Sequence, residues 1–334
     1  MLLKRISSVV CAIFFVLAFS LSHAQNFVER KEVRAYLDEL SGSYGFSRND
    51  LEKILSDHKP NKRIIDLISR PSEKRLQWHE YRKILVDEAR IKLGVEFWNE
   101  NIGALSEAEQ VYSVAPEIIV AIIGVETRYG KIMGSYPVVE ALSTLAFDYP
   151  PRAKFFRKEL TEFFILTRDQ KLDPASLTGS YAGAMGYGQF IPSSYRAYAV
   201  DFDGDNFKDI WNNKADAIGS VANYFSRHGW QGDGPVIVRG YETSPNLDVA
   251  ANESLEPKFL AGDLRKKGIG NNLADNTKVA LFEMQGERGQ EYWLGLSDFY
   301  VITRYNRSSM YALAVFQLSQ AIKQERIDLL NSLN

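Results

Sequence analysis

The chain has 334 residues, 45% of them hydrophobic and 25% charged, with a formal net charge of −2, a globular composition long enough for two or more subdomains. No basic face argues for nucleic acid, so the partner has to be read from sites. Cys11 is the single cysteine, and once the segment that carries it is removed, disulfides, thiolate metal sites and thiol nucleophiles are excluded.

That segment comes first in the chain. MLLKRISSVVCAIFFVLAFSLSHAQ sets Lys4 and Arg5 before an apolar centre and ends small-x-small at Ser22-His23-Ala24, ahead of Gln25. This is the pattern of a secretory signal, residues 1–24, cleaved after Ala24. The apolar run is short for a membrane anchor. Cys11 follows Val9 and Val10 without the small residue that a bacterial lipoprotein signal requires, so lipidation is not expected. The leader holds two bases and no acid, which leaves the mature chain two units more negative. Export without disulfides fits a bacterial envelope protein, here a periplasmic one. Of the histidines, His58, His79 and His228 remain, each isolated, which is little material for a metal centre or a Ser-His-Asp triad.

Residues 25–100 read as a helical N-terminal domain, with apolar positions three and four apart in VRAYLDEL and LEKILSD and a breaker at Pro60. Trp78 and Tyr81 follow Pro71 on another helical pattern, where aromatic residues serve a core or a sugar groove. Residues 101–230 read as the catalytic core. Within it, APEIIVAIIGVETRYG runs from Ala115 to Gly130, with Pro116 suited to a first helical turn and Gly130 to an end. Between them the residues are nearly all apolar up to Glu126. Desolvation and the negative end of the helix are both expected to raise the pKa of that carboxyl and make it a proton donor near neutral pH. Glycoside cleavage needs such a general acid. The alternative is an ion-paired or solvent-facing end of a core helix.

Two more helical patterns follow, divided by Tyr149-Pro150-Pro151. The stretch LTGSYAGAMGYGQFIPSSYRAYAV then gathers Gly179, Gly183, Gly186 and Gly188 with Ser180, Tyr181, Tyr187 and Gln189. Glycines at this density let backbone approach a ligand, and the neutral side chains suit a sugar; a phosphate loop would need a Gly-Lys-Ser/Thr signature that is missing. DFDGDNFKDIW places Asp201, Asp203, Asp205, the backbone of Phe207 and Asp209 at alternate positions, as in the first half of an EF-hand-like calcium loop. Asn206 stands where such a loop prefers Gly, Asn212 where it wants Glu, and Asp216 is placed to close a longer loop, residues 201–216. A helix over ADAIGSVANYFSRHGW precedes a turn-rich, alternating region, a small β-containing subdomain at 231–296. The last segment, 297–334, carries the polar corner Arg304-Tyr305-Asn306-Arg307-Ser308 and a final helix that returns to the core.

Five stretches, GVETRYG, GSYAGAMGYGQFIPSSY, AVDFDGD, DAIGSVANYF and ITRYNRSSMYALAV, together resemble the lytic murein transglycosylase B family, glycoside hydrolase family 103, in the same order along the chain. The resemblance runs from about Trp78 to the C-terminal helix. It implies a mainly α (α+β) protein: a lysozyme-like core, a helical N-terminal domain, a small β-containing insertion and an EF-hand-like calcium loop. Carried over by position, it makes Glu126 the catalytic acid/base and sets Tyr81, Ser180, Gln189, Tyr224, Tyr305, Asn306 and Tyr311 along the sugar groove. The metal set is Asp201, Asp203, Asp205, Phe207 and Asp216, with the loop one residue longer here before Asp216.

A water-using glycosidase needs two carboxylates, whereas one suffices if the substrate supplies its own nucleophile. The implied reaction is therefore cleavage of the bond between N-acetylmuramic acid and N-acetylglucosamine, with closure to a 1,6-anhydro product. Alternatives are a muramidase using Asp148 as second carboxylate, or a non-catalytic wall-binding protein on the same fold. Expected partners are peptidoglycan strands, with structural calcium, no organic cofactor, no nucleic acid and a monomeric state.

Overall fold

The computed structural model describes residues 26–70, 76–244 and 251–333; the expected leader, residues 1–24, lies outside them. The chain divides into two compact units between Asp57 and His58. The first contains a 3-10 turn at Phe27–Glu29, α1 (Lys31–Tyr44) and α2 (Arg48–Leu55). Val33, Tyr36, Leu37 and Leu40 recur at helical spacing and form the buried face of α1. Gly45, at φ 70°, ends that helix by returning its N–H to the Leu40 carbonyl, and Ser47 caps α2 through the Asp50 N–H.

The second unit begins with α3 (Lys62–Ser69), α4 (Trp78–Leu85), α5 (Glu88–Glu100), α6 (Ile102–Tyr112) and α7 (Pro116–Thr127). After β1 (Tyr136–Pro137) come α8 (Val138–Asp148), a 3-10 turn at Pro150–Arg152, α9 (Ala153–Asp169), β2 (Thr178–Gly179), α10 (Pro192–Tyr198) and α11 (Lys214–Arg227). The sheet region holds β3 (Ile237–Glu242), β4 (Phe259–Leu260), α12 (Ala261–Lys266), β5 (Ile269–Gly270), β6 (Lys278–Gly286) and β7 (Gly289–Gly295). The chain closes with α13 (Ser297–Tyr305) and α14 (Ser309–Ser332).

Helix α7 is the axis of this unit. Every residue from Pro116 to Gly124 is buried, and α5, α6, α11 and α14 all pack on it. An all-round apolar helix needs such a sleeve. The sequence pattern assigns α3, α4 and α5 to an N-terminal domain ending near residue 100, but α5 packs on α7 and α14, and α3 on α8. Helical periodicity shows which face is apolar without showing what covers it, so the compact break falls earlier than expected.

The five strands of the larger sheet run antiparallel in the order β4-β6-β7-β3-β5. The two-residue turn Glu287-Arg288 joins β6 to β7, with Gly286 opposite Gly289. Leu264, Ile269, Val279, Leu281, Tyr292 and Leu294 give the sheet a core of its own. All five of these strands fall between Ile237 and Gly295.

Candidate active site

Glu126 occupies the last turn of α7, half-buried. The C-terminal carbonyls there are not bare, as the sequence alone would suggest. The buried Arg90 guanidinium donates through Nε to the Gly124 carbonyl at 3.1 Å and through Nη1 to Asp87 at 3.0 Å, so a cation meets the negative end of the helix. Asp87 also accepts from Arg128. Arg90 escapes a reading of the sequence because nothing in its local pattern distinguishes it from a surface arginine.

Past Glu126 the chain turns sharply. Arg128, Tyr129 and Gly130 have φ of 51°, 60° and 85°, two non-glycine residues and a glycine in the left-handed region, where strain collects at sites that the surroundings over-determine. The Tyr129 hydroxyl donates to the Arg90 carbonyl. A Cβ on Gly130 would lie 2.3 Å from the Tyr187 ring, so only glycine admits the Gly-rich segment this close. Thr127 Oγ1 accepts from Gly130 N and lies 3.0 Å from the Tyr187 carbonyl oxygen, to which it donates. The end of α7 and the Gly-rich segment are thus fastened together beside Glu126.

Two phenols complete the surroundings. Tyr311, in the first turn of α14, donates its hydroxyl to Glu126 Oε1 at 2.5 Å. Tyr305, at the end of α13, donates to the Gly188 carbonyl at 2.6 Å. Burial first, and the Glu126 charge second, push both phenols well above their ordinary range; both are therefore neutral donors at any physiological pH. Tyr81 bears on the Tyr311 phenol as well, so the structure brings it to the group although it is only 6% exposed. Trp78, 3% exposed, is a core residue by burial. Tyr224 packs edge-on against Tyr305 with centroids 4.7 Å apart and donates to the Arg304 carbonyl at 2.6 Å. Behind it His228 stacks on the Tyr224 ring at 4.0 Å.

The polar residues of the Gly-rich segment prove partly structural. Gln189, at φ 50°, donates from Nε2 to the Met133 and Gly186 carbonyls, clamping the segment to the loop after α7. Ser180 Oγ accepts from Ala182 N and Ala184 N, which leaves its hydrogen free to donate to a ligand. Asn306 forms the C-cap of α13 next to Tyr305.

At the acidic loop, Asp201, Asp203 and Asp205 bring one carboxylate oxygen each within 4.8 Å of the others. Backbone N–H groups of Gly204, Asp205 and Asn206 point at Asp201, and Phe207 N donates to Asp205. Asn206 takes φ 71° where a calcium loop prefers Gly. This hard-oxygen donor set suits calcium. Asp216 is fully buried and accepts from Phe202 N at 2.6 Å and Asp209 N at 2.7 Å, beside the three-carboxylate group of the loop. Burial raises its pKa against those two hydrogen bonds. Those two bonds tie both ends of the loop to the start of α11, which alternate spacing in sequence does not reveal.

An apolar helix that ends in one half-buried carboxyl, beside two phenols and a closely packed Gly-rich segment, is the arrangement expected of a lysozyme-like glycan-cleaving enzyme. The transglycosylase SLT domain family matches residues 29–320. The chain is 41% identical over 313 residues to the membrane-bound lytic murein transglycosylase B of Escherichia coli (strain K12), covering 90% of this chain and 85% of that one. The soluble lytic transglycosylase SltB1 of Pseudomonas aeruginosa superposes with a TM-score of 0.85 at 51% identity, over 88% of this chain and 99% of that one. Escherichia coli Slt35, in a structure with calcium, gives 0.83 at 41% identity, over 92% and 96%. The chain belongs to the transglycosylase SLT domain family, and it is a lytic transglycosylase.

Proposed function

We propose that this protein cleaves the β-1,4 bond between N-acetylmuramic acid and N-acetylglucosamine in peptidoglycan and leaves 1,6-anhydro-N-acetylmuramic acid ends, with Glu126 as its one catalytic acid and base. The observation that carries the reading is the setting of that carboxyl: Tyr311 holds Oε1 at 2.5 Å, and Glu126 is the acid whose charge bears on both buried phenols. Glu126 gives its proton to the glycosidic oxygen as the bond to C1 breaks. As a carboxylate it then takes the proton from the muramoyl C6 hydroxyl, whose oxygen bonds to C1. Atoms balance without water, so one carboxyl is enough.

Tyr311 fixes the rotation of that carboxyl, and Tyr305 and Tyr224 wall the cleft. Ser180 and Asn306 hold the sugar by hydrogen bonds, and Gln189 acts through the shape of the loop it clamps. Asp201, Asp203 and Asp205, with the Phe207 carbonyl, would hold a structural calcium ion that offsets their mutual repulsion; Asp216 supports this site from behind. The setting is the bacterial periplasm, reached through a leader cleaved after Ala24 and without lipidation, where the protein acts as a monomer.

Mass analysis of products from purified sacculi tests the reading. Anhydro ends, lighter than reducing ends by one water, are expected. Reducing ends would favour a water-using muramidase, and intact sacculi a binding protein.

A further inference from the structure

Away from Glu126, two adjoining cavities of about 390 Å³ each open between α4, α14 and the β6–β7 hairpin, sharing Trp78, Arg82, Arg239 and Glu291. We propose that this cleft is a second glycan-holding surface, which grips peptidoglycan beyond the strand segment being cut. The proposal rests on the reading of peptidoglycan as substrate.

One wall is a locked set on the sheet. Glu291 accepts from the Trp293 indole N–H at 3.1 Å and pairs with Arg239 at 3.2 Å, while the Arg239 guanidinium lies 5.0 Å over the Trp293 ring. Gly286 lets the Glu291 side chain pack over the hairpin, where a Cβ would lie 2.3 Å from Glu291 Oε1. The fold holds an indole, a carboxylate and a guanidinium in one arrangement, at an edge where Arg239 is half-exposed. Across the cleft, Arg82 Nε donates to Gln317 Oε1 at 2.5 Å, which orients the guanidinium and uses one of its five N–H donors. Arg288 stands at the turn of the hairpin, lining the cleft with its side chain exposed.

The chemistry of these walls selects the occupant. Aromatic surface bordered by guanidinium, amide and carboxylate groups offers a pyranose ring apolar contact and its hydroxyl and acetamido groups both donors and acceptors. The exposed guanidiniums of Arg82 and Arg288 add affinity for the carboxylates that peptidoglycan carries on its peptides. Position agrees. Tyr81 of the active site and Trp78 and Arg82 of the cleft lie within about one turn of α4. On α14, Tyr311 precedes Gln317 by six residues, about 9 Å along a helix. A polymer that follows α4 and α14 away from Glu126 bears on both sites.

The test separates long from short substrates. Arg82→Gln/Arg288→Gln changes two exposed side chains, and Trp293→Ala removes the indole. With each added to a Glu126→Gln background, co-sedimentation with sacculi measures affinity without cleavage. With Glu126 intact, kcat/KM on a soluble tetrasaccharide reports the groove alone. We expect binding to sacculi at least about 10-fold weaker, the scale of losing one charge-assisted contact, with tetrasaccharide turnover unchanged and Tm near that of the parent for the arginine pair. Unchanged binding by the arginine pair, or a matching loss on the tetrasaccharide, overturns the proposal. Because the main readout is binding, a failure of the catalytic reading is seen separately, as absence of anhydro ends from the unaltered protein.

Discussion

Carboxylates do two different things in this molecule, and their surroundings decide which. At the end of α7 one half-buried carboxyl faces a phenol donor at 2.5 Å, with tyrosines around it. In the 201–205 loop three carboxylates crowd within 4.8 Å of each other, partly exposed and met by backbone N–H groups. A single acid held by one phenol donor is placed to exchange a proton with a bound substrate. Clustered carboxylates repel one another and favour a cation between them. The same functional group therefore becomes a catalyst or a ligand according to neighbours that come from other parts of the chain.

The largest effect expected from breaking this contrast is at Glu126. Gln keeps the side chain's shape and accepts the Tyr311 hydroxyl, but it has no proton to give. Glu126→Gln should lower anhydro-product release by at least about 10²- to 10⁴-fold and leave Tm unchanged or slightly higher, since it removes a partly desolvated ionisable group. Near-normal release would end the single-carboxylate mechanism, and a collapsed Tm would return Glu126 to the role of a structural ion-pair member.

Tyr311→Phe comes next. Losing a hydrogen bond to a charged group costs about 1.5–3 kcal/mol, so kcat should fall about 10- to 100-fold if that bond positions the carboxyl in the transition state. The effect should appear in kcat more than in KM. A change confined to KM would make Tyr311 a sugar contact instead.

Much of this contrast is legible in the amino-acid order. Pro116, the apolar run and Glu126 mark α7; alternate aspartates mark the loop; Tyr149-Pro150-Pro151 marks the break between α8 and α9. These signals are local, and each names a backbone requirement. What stays hidden joins residues far apart in sequence: Arg90 on the Gly124 carbonyl, Thr127 on Tyr187, and the hydroxyl of Tyr311 on a carboxyl 185 positions away. Tyr305 and Tyr311 enter the site through family resemblance, because a tyrosine at the end or the start of a helix looks the same whether it meets a carboxylate or a core. The place of the compact break stays hidden for the same reason, since it depends on which helix α5 touches.

A smaller effect sharpens the other half of the comparison. Calcium at about 100 times its Kd adds about 2.7 kcal/mol to stability, which for a unit of this size raises Tm by several degrees; chelator should remove that gain. Asp216→Asn then distinguishes staple from ligand. Asn accepts through one oxygen where Asp216 accepts two backbone N–H groups, so one buried donor is left unpaired at a cost of about 1–3 kcal/mol. If Asp216 is a staple, Tm falls in chelator as well as in calcium. If the loss disappears in chelator, Asp216 acts through the ion.

The smallest effect concerns the back wall of the cleft and follows from pH. His228 stacks on Tyr224, and its Nδ1 lies 2.7 Å from the Tyr224 carbonyl, which fits a neutral ring donating from that nitrogen. Burial first, then the charge of Arg304, lowers its pKa, against the opposing pull of the Tyr224 carbonyl. A base whose folded pKa lies below its unfolded value of about 6.5 takes up its proton more readily when unfolded. The stability it contributes is therefore complete above about pH 6.5 and is lost progressively as pH falls below that value, levelling off once the folded protein is protonated too. Because the ring is half-exposed, solvent screens the charge and the loss of Tm between about pH 7 and 5.5 is small. His228→Asn, which does not titrate, should lose less Tm than the parent protein over the same interval, and the Glu126→Gln variant should keep the full parental drop. If the parent and His228→Asn fall equally, the Tyr224 wall does not sense pH, and acid sensitivity belongs to the carboxylates elsewhere. If the drop vanishes in Glu126→Gln instead, the proton is taken up in the cleft itself, and the dry wall behind Tyr305 does not separate His228 from the catalytic carboxyl.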